Sequence, residues 1–279
     1  MLATELEPHA NAKTVNAASA GMTSSSGRRR EAGKARARIV AVMAYPERIV
    51  PGETSPGILA LHLARYVFAE DWCRDREVLD LGCGTGYGSF RLSSVAKGVL
   101  AVDVSEEAIA YAESHYGAPN LEFRVLDATR LPFDDGSFDV VTCFETIEHV
   151  DDAVILVGEA ARVLRSGGAF IVSTPRVDRT THSPDNPYHR IELSREDFEV
   201  LLTPSFELIE MYGEQRRQTS LHRLLQRLDV LGLRRRSRLV RRAAVLTGTP
   251  AMENAGLGDV TITRERASTA RVLVAVCTR

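Results

Sequence analysis

The sequence predicts an α/β fold, a mostly parallel sheet with helices on both faces. Three observations carry that reading. From about residue 57, short apolar runs alternate with stretches of helical apolar spacing, the pattern of strands joined by crossover helices. The run Val78–Leu81 breaks into the glycine series Gly82, Gly84, Gly86 and Gly88, as a strand does before a ligand-facing loop and a helix. The chain of 279 residues has 44% hydrophobic content, enough for one large core.

The elements follow in order. Residues 1–37 are rich in Ala, Ser, Thr and charge, with little periodic apolar content. They read as a disordered basic N-terminal segment, and Met22 or Met43 would serve as a start as well as Met1. Residues 38–279 read as the folded domain. Pro46–Pro56 is a loop, and Gly57–Ala69 has helical spacing. Strand one covers about Glu77–Leu81 and is followed by a helix over Tyr87–Val95. Strand two is Gly98–Asp103, followed by a helix over Glu106–Tyr116 with Ser105 as N-cap. Strand three is Leu121–Leu126, and strand four is Phe138–Phe144 after a turn at Asp135-Gly136. A helix over Asp152–Leu164 ends before Ser166-Gly167-Gly168, a helix-stop signal. Strand five, Ala169–Thr174, is stopped by Pro175. Helix Ser194–Leu202, strand Phe206–Tyr212 and a last strongly β run at Thr269–Cys277 complete the series. A basic helical insertion is expected at about 213–266.

Composition excludes several classes. No apolar run approaches the roughly 20 residues of a membrane span, and Ile39–Tyr45 is too short for a secretory core. Cys73, Cys83, Cys143 and Cys277 are scattered and form no C-x-x-C pair. That argues against zinc and disulfides and fits a reducing cytosol. The net charge of −2 hides segregation: Arg28–Arg38 carries six bases against Glu31, and Arg216–Arg242 carries ten arginines against Asp229. The remainder is therefore strongly acidic.

The glycine loop narrows the ligand. A dinucleotide site wants G-x-G-x-x-G, but the third position here is Tyr87. The pattern is D-x-G-x-G-x-G with Asp80 at the strand end. An acid there would repel a pyrophosphate and suits an ammonium or sulfonium ligand. Asp103 closes the second strand, where a carboxylate can accept hydrogen bonds from both ribose hydroxyls of a nucleoside.

Val78–Ser89 resembles motif I of the class I S-adenosylmethionine (AdoMet) methyltransferases, and Phe138-Asp139-Val140-Val141 resembles the fourth-strand motif of that family. The resemblance implies a Rossmann-like fold of seven strands in the order 3-2-1-4-5-7-6, with strand 7 antiparallel. It implies AdoMet as cofactor, with Asp80, Gly82, Cys83, Gly84 and Gly86 around its methionine part. It makes Asp103 the ribose ligand, Val104 an adenine contact and Asp127 the acceptor of the adenine amino group, with Ala128 and Phe144 beside them. For Cys83 itself, the residue type points to a small apolar filler.

Ligands of open α/β sheets bind beyond the carboxyl ends of the strands, so the chemistry should follow strand four, at Phe144-Glu145-Thr146-Ile147-Glu148-His149. If this stretch begins a helix, Glu145, Glu148 and His149 share a face. They could deprotonate a hydroxyl, with histidine near its usual pKa of ~6.5, or hold a divalent cation that acidifies it. The E-x-x-E-H pattern resembles that of small-molecule O-methyltransferases, including quinone-ring enzymes. It also resembles small-RNA 3′-terminal 2′-O-methyltransferases, in which the triad and a later His hold a metal. His189, in Asn186-Pro187-Tyr188-His189, is that later His here. His149, Glu145 and His189 are thus the catalytic candidates, and Glu145, Glu148, His149 and His189 the candidate metal ligands. His182 and Tyr188 are candidates for lining the acceptor pocket. Pro46–Glu53, His62, Tyr66–Ala69 and Gly86–Ser89 are similar to methyltransferases of sugar and glycan pathways. The absence of an Asn/Asp-Pro-Pro-Tyr motif after strand four favours oxygen over nitrogen.

The expectation is a cytoplasmic O-methyltransferase acting on a sugar-containing or other small-molecule acceptor. An RNA 2′-O-methyltransferase and a non-catalytic AdoMet-binding protein are the alternatives. Leu221, Leu224, Leu225, Leu228 and Leu231 give the Arg-rich stretch an amphipathic helical pattern. It reads as a lid or oligomer contact, as a peripheral membrane contact serving lipid-linked substrates, or as an RNA-binding arm.

Overall fold

A computed structural model describes residues 47–216 and 256–279. The expected disordered segment 1–37 and most of the Arg-rich stretch 216–242 lie outside the described residues. Among the described residues, eight strands form one sheet: β1 (Glu77–Leu81), β2 (Gly98–Asp103), β3 (Leu121–Val125), β4 (Phe138–Phe144), β5 (Leu164–Pro175), β6 (Leu208–Arg216), β7 (Val260–Thr263) and β8 (Val272–Thr278). Their order is β3-β2-β1-β4-β5-β8-β6-β7. The first five strands are mutually parallel, and β8 enters antiparallel between β5 and β6. Helices α1 (Pro56–Cys73), α2 (Tyr87–Leu92), α3 (Glu106–His115), α4 (Ala153–Val163) and α5 (Arg195–Leu202) connect them.

The period-two alternation of the central strands divides the core. Leu79, Leu81, Val141, Cys143, Phe170, Val172, Leu273 and Ala275 pack on the face covered by Leu156 and Ala160 of α4 and Phe198 and Leu202 of α5. Val78, Val140, Ile171, Val274 and Val276 pack on the opposite face against Tyr66, Ala69 and Cys73 of α1 and Leu92 of α2. Burial on both faces is why these strands read as continuous apolar runs. Ser105 caps α3 as expected, its side chain accepting from the Ala108 amide. Asp152 caps α4 through the amides of Val154 and Ile155.

Three expectations are corrected. The sheet has eight strands rather than seven, the addition being β7, an antiparallel edge strand on β6. The stretch 213–266 therefore includes strand at both sides: it leaves along β6 and returns along β7, with Gly213 opposite Thr263 and short 3-10 turns at Leu257–Asp259 and Arg264–Arg266. Strand five begins at Leu164, so Ser166-Gly167-Gly168 lies inside a strand and not after a helix. The helix had already ended at Val163, and the glycines accommodate a register shift against Phe138 and Val140. Phe170 is fully buried at the sheet centre and stacks on Phe206. Phe170→Ala should lower unfolding stability by about 3–5 kcal/mol, read as a shifted midpoint in urea without change of secondary structure.

Candidate functional site

The carboxyl ends of β1, β2, β3 and β4 open onto a cleft of about 930 Å³. Its floor is the glycine loop. Gly84 has a positive φ of 55°, and a Cβ there would meet nothing within 4 Å, so its bare backbone faces open space. Gly88 does the opposite: a Cβ there would fall 2.0 Å from the Tyr66 ring, so α1 sits directly on the start of α2. The segment Glu47–Ser55 roofs the loop, with Thr85 Oγ1 donating to the Ile49 carbonyl at 2.6 Å. Val50 is buried there against Tyr111.

At one end of the cleft stand the nucleoside candidates. Asp103 accepts from the Gly84 amide through one oxygen and from the Ser105 amide through the other, both at 2.9 Å. Asp127 accepts from the Thr129 amide and hydroxyl through Oδ1 alone, leaving Oδ2 out of that turn. Val104 is 74% exposed at the cleft edge. Ala128 and Phe144 line the same space. Cys83 also lines it, but it is buried, and burial beside Asp80 and Asp103 raises its thiol well above the usual range. It stays a neutral filler.

Asp80 does not line the cleft. It is fully buried and accepts from Ser89 Oγ at 2.6 Å, Thr142 Oγ1 at 2.7 Å and Tyr66 OH at 3.3 Å. Burial pushes its pKa up to about 6 against the pull of those three donors. The acid shapes the loop from behind rather than facing a cationic ligand.

The other end holds the acceptor candidates, and the expected helix after β4 is absent. Glu145 takes a left-handed φ of 49°, and Ile147–His149 form a turn. The three side chains of the E-x-x-E-H pattern therefore diverge. Glu145 Oε1 accepts from Ser173 Oγ at 2.8 Å, and Oε2 lies 3.6 Å from Arg65 Nη2. Glu148 is 1% exposed, accepts from Thr174 Oγ1 at 3.2 Å, and has no hydrogen-bond partner at Oε1. Burial, with Glu145 nearby, raises its pKa well above the usual carboxylate range, so the side chain is a neutral acid. His149 alone turns toward His189, ring centroids 4.9 Å apart. His182 is exposed and does not line the cleft, and Tyr188 contributes its backbone carbonyl to His149 Nδ1 at 3.1 Å.

Because a carbonyl only accepts, that bond puts the proton on Nδ1 of His149 and leaves a lone pair on Nε2. Burial lowers the His149 pKa, which favours the neutral ring. His189 is held the same way: Nδ1 lies 2.8 Å from Glu192 Oε1, and Nε2 faces the Asn186 amide at 3.0 Å.

Two groups escaped the sequence reading. Arg65 is buried in α1, with Nε 2.7 Å from Glu214 Oε2 and Nη1 3.4 Å from His62 Nδ1. Burial opposes its charge, but Glu145 and Glu214 outweigh that and raise its pKa. Its only sequence signal was a charge on the buried side of an apolar helix. Glu47 lies beside both histidines, 3.7 Å from His189 Nε2 and 4.0 Å from His149 Nδ1. It comes from a loop far away in sequence and carried no spacing signal.

Residues 79–172 match the family described as a methyltransferase domain. A probable S-adenosylmethionine-dependent methyltransferase of Mycolicibacterium smegmatis is 37% identical over 174 residues, covering 60% of this chain and 66% of that protein. A ubiquinone biosynthesis O-methyltransferase of Xanthomonas oryzae pv. oryzae is 35% identical over 112 residues, 39% of this chain and 47% of that protein. The chain thus spans about two thirds of the first relative and about half of the second. The solved structure of YcgJ from Bacillus subtilis shares the fold, with a TM-score of 0.52 at 20% identity, over 78% of this chain and 98% of that one.

The neutral state of Glu148 has a measurable consequence. A carboxyl whose pKa is raised on folding adds stability below its unfolded pKa, and that contribution is lost as pH rises through the folded value. Glu148→Gln removes the titration while keeping the shape. The variant should melt close to wild type near pH 4 and a few degrees, roughly 2–6 °C, above it at pH 8. Equal melting temperatures across that range would show Glu148 ionised without cost.

Proposed function

The chain belongs to the class I S-adenosylmethionine-dependent methyltransferase superfamily, and on that premise we propose that it methylates a hydroxyl of a small, polyhydroxylated acceptor, of which a sugar-containing metabolite is the best fit. The observation that carries this reading is the division of one cleft into two chemistries. Acids and an exposed valine stand at the ends of β2 and β3, and two imidazoles stand beyond β4.

The cofactor end fits AdoMet on the residues present. The open face of Gly84 leaves room for close backbone approach. Asp103 sits where ribose hydroxyls can donate to it, Asp127 where an exocyclic amino group can, and Val104 offers an apolar surface to adenine. When bound, AdoMet supplies an electrophilic methyl on a sulfonium. The protein then has to position the acceptor oxygen in line with it and manage one proton, and positioning supplies most of the rate. Nε2 of His149 has the lone pair to take that proton. Glu192 and the Tyr188 carbonyl orient the two rings through their Nδ1 atoms. The O-methyltransferase relative from Xanthomonas supports oxygen as the acceptor atom.

Incubation with methyl-labelled AdoMet and fractionated extract, followed by mass spectrometry of the product, tests the activity and names the acceptor. Label recovered on nitrogen or carbon would overturn the hydroxyl assignment, and no transfer to any fraction would favour a non-catalytic AdoMet binder. Asp103→Ala should weaken AdoMet binding by about 10- to 100-fold, the loss expected for hydrogen bonds to a charged group, as read by calorimetry. His149→Ala should lower kcat by about 10²- to 10⁴-fold with little change in AdoMet affinity. Full turnover in both His149→Ala and His189→Ala would show that this end of the cleft does no chemistry.

A further inference from the structure

We propose that Glu47, His149 and His189 form a divalent-cation site at the acceptor end of the cleft. One ligand atom from each residue can be chosen so that all lie within 4.8 Å of one another. The set differs from the one the E-x-x-E-H spacing suggested, since Glu145 is tied to Arg65 and Ser173 and Glu148 is turned into the core.

Three further features support a site over a chance meeting of polar groups. Glu47 Oε2 is buried and has no hydrogen-bond partner. A carboxylate oxygen removed from water without a donor costs free energy, and a cation would satisfy it. His189 is held at Nδ1 by Glu192, and its Nε2 lies 3.7 Å from Glu47 Oε1. That is the outer-shell arrangement that fixes the tautomer of a metal-binding histidine. The Asn186 side-chain amide now bridges Glu47 Oε1 and His189 Nε2, so it occupies the position an ion would take. Entry of the ion would replace those two hydrogen bonds and draw the ligands together to about 3–3.5 Å, as metal–ligand bonds of ~2.0–2.2 Å require.

The donor chemistry selects the ion. Two imidazoles and one carboxylate suit Zn²⁺, Mn²⁺ or Fe²⁺, whereas Mg²⁺ and Ca²⁺ take oxygen ligands. Three protein ligands leave coordination positions open to the cleft. The site stands on geometry, but its role rests on the hydroxyl reading above. An acceptor oxygen bound to the ion would lose its proton to solvent water more readily, and the imidazoles would then act as ligands in place of bases.

The test needs neither acceptor nor AdoMet, so its failure would leave the proposed methyl transfer standing. Full-length protein stripped with EDTA and desalted is titrated with Mn²⁺, followed by the loss of the free-ion EPR signal, and with Zn²⁺ against a chromogenic chelator. One ion per chain is expected. Glu47→Gln, His149→Ala and His189→Ala should each weaken binding by at least about tenfold, while Glu148→Gln, whose side chain is turned into the core, keeps wild-type affinity. Circular dichroism melts confirm that each variant is folded, and the isosteric Glu47→Gln carries the test if a histidine variant is not. No stoichiometric binding by the wild type, or loss of binding in Glu148→Gln with retention in Glu47→Gln, would overturn the site.

Discussion

The buried carboxylate of Asp80 is the constraint on which the rest of the site depends. It collects donors from three elements at once: Tyr66 of α1, Ser89 of α2 and Thr142 of β4. An acid with no exposure is tolerated only when its oxygens are satisfied. The arrangement therefore fixes α1 and α2 relative to the ends of β1 and β4. The glycine loop hangs between those fixed points, and its open backbone is presented to the cleft as a consequence.

A second buried charge sets the far wall. Arg65 lies on α1 next to Tyr66 and reaches Glu214 on β6 and Glu145 after β4. Breaking such a group by removing one member leaves an uncompensated buried charge, typically costing about 3–5 kcal/mol. The same arginine thus anchors the turn that carries His149 and the strand that leads into 217–255. Its neighbour His62 has its pKa held well below the usual value, first by burial and then by the Arg65 charge. His62 and His149, the two histidines whose pKa values burial lowers, both line the cleft, with Arg48 and Arg190 at its wall.

Much of the fold was legible because it depends on local patterns. Strands β1, β2 and β4 were read to the residue, since each is a buried apolar run bounded by a turn or an acid. The N-cap at Ser105 was legible for the same reason. The edge pairing of β6 with β7 was not, because it joins segments separated by a long insertion and its hydrogen bonds leave no periodic trace. Strand five was read short because Gly167 and Gly168 look like a stop signal, whereas here Gly167 takes a positive φ within the strand. Asp103, Val104 and Asp127 could be placed from sequence because strand ends put them on the cleft. Arg65 and Glu47 could not, because their partners are distant in the chain.

The E-x-x-E-H stretch shows what spacing alone leaves undetermined. On a helix, positions i, i+3 and i+4 share a face, and the two acids and the histidine would act together. The chain instead turns at Glu145, whose left-handed backbone is held by the Ser173 hydroxyl and carbonyl. That single change sends Glu145 toward Arg65, Glu148 into the core beside Thr174, and His149 out toward His189. One acid is then paired with Arg65 and Ser173, and the other is buried, where its pKa is raised. The carboxylate that does stand beside the histidines comes from Glu47 on the roof segment. The chemistry of the acceptor end is thus assembled by tertiary structure from four segments: the roof, the turn after β4, Asn186–His189, and Glu192.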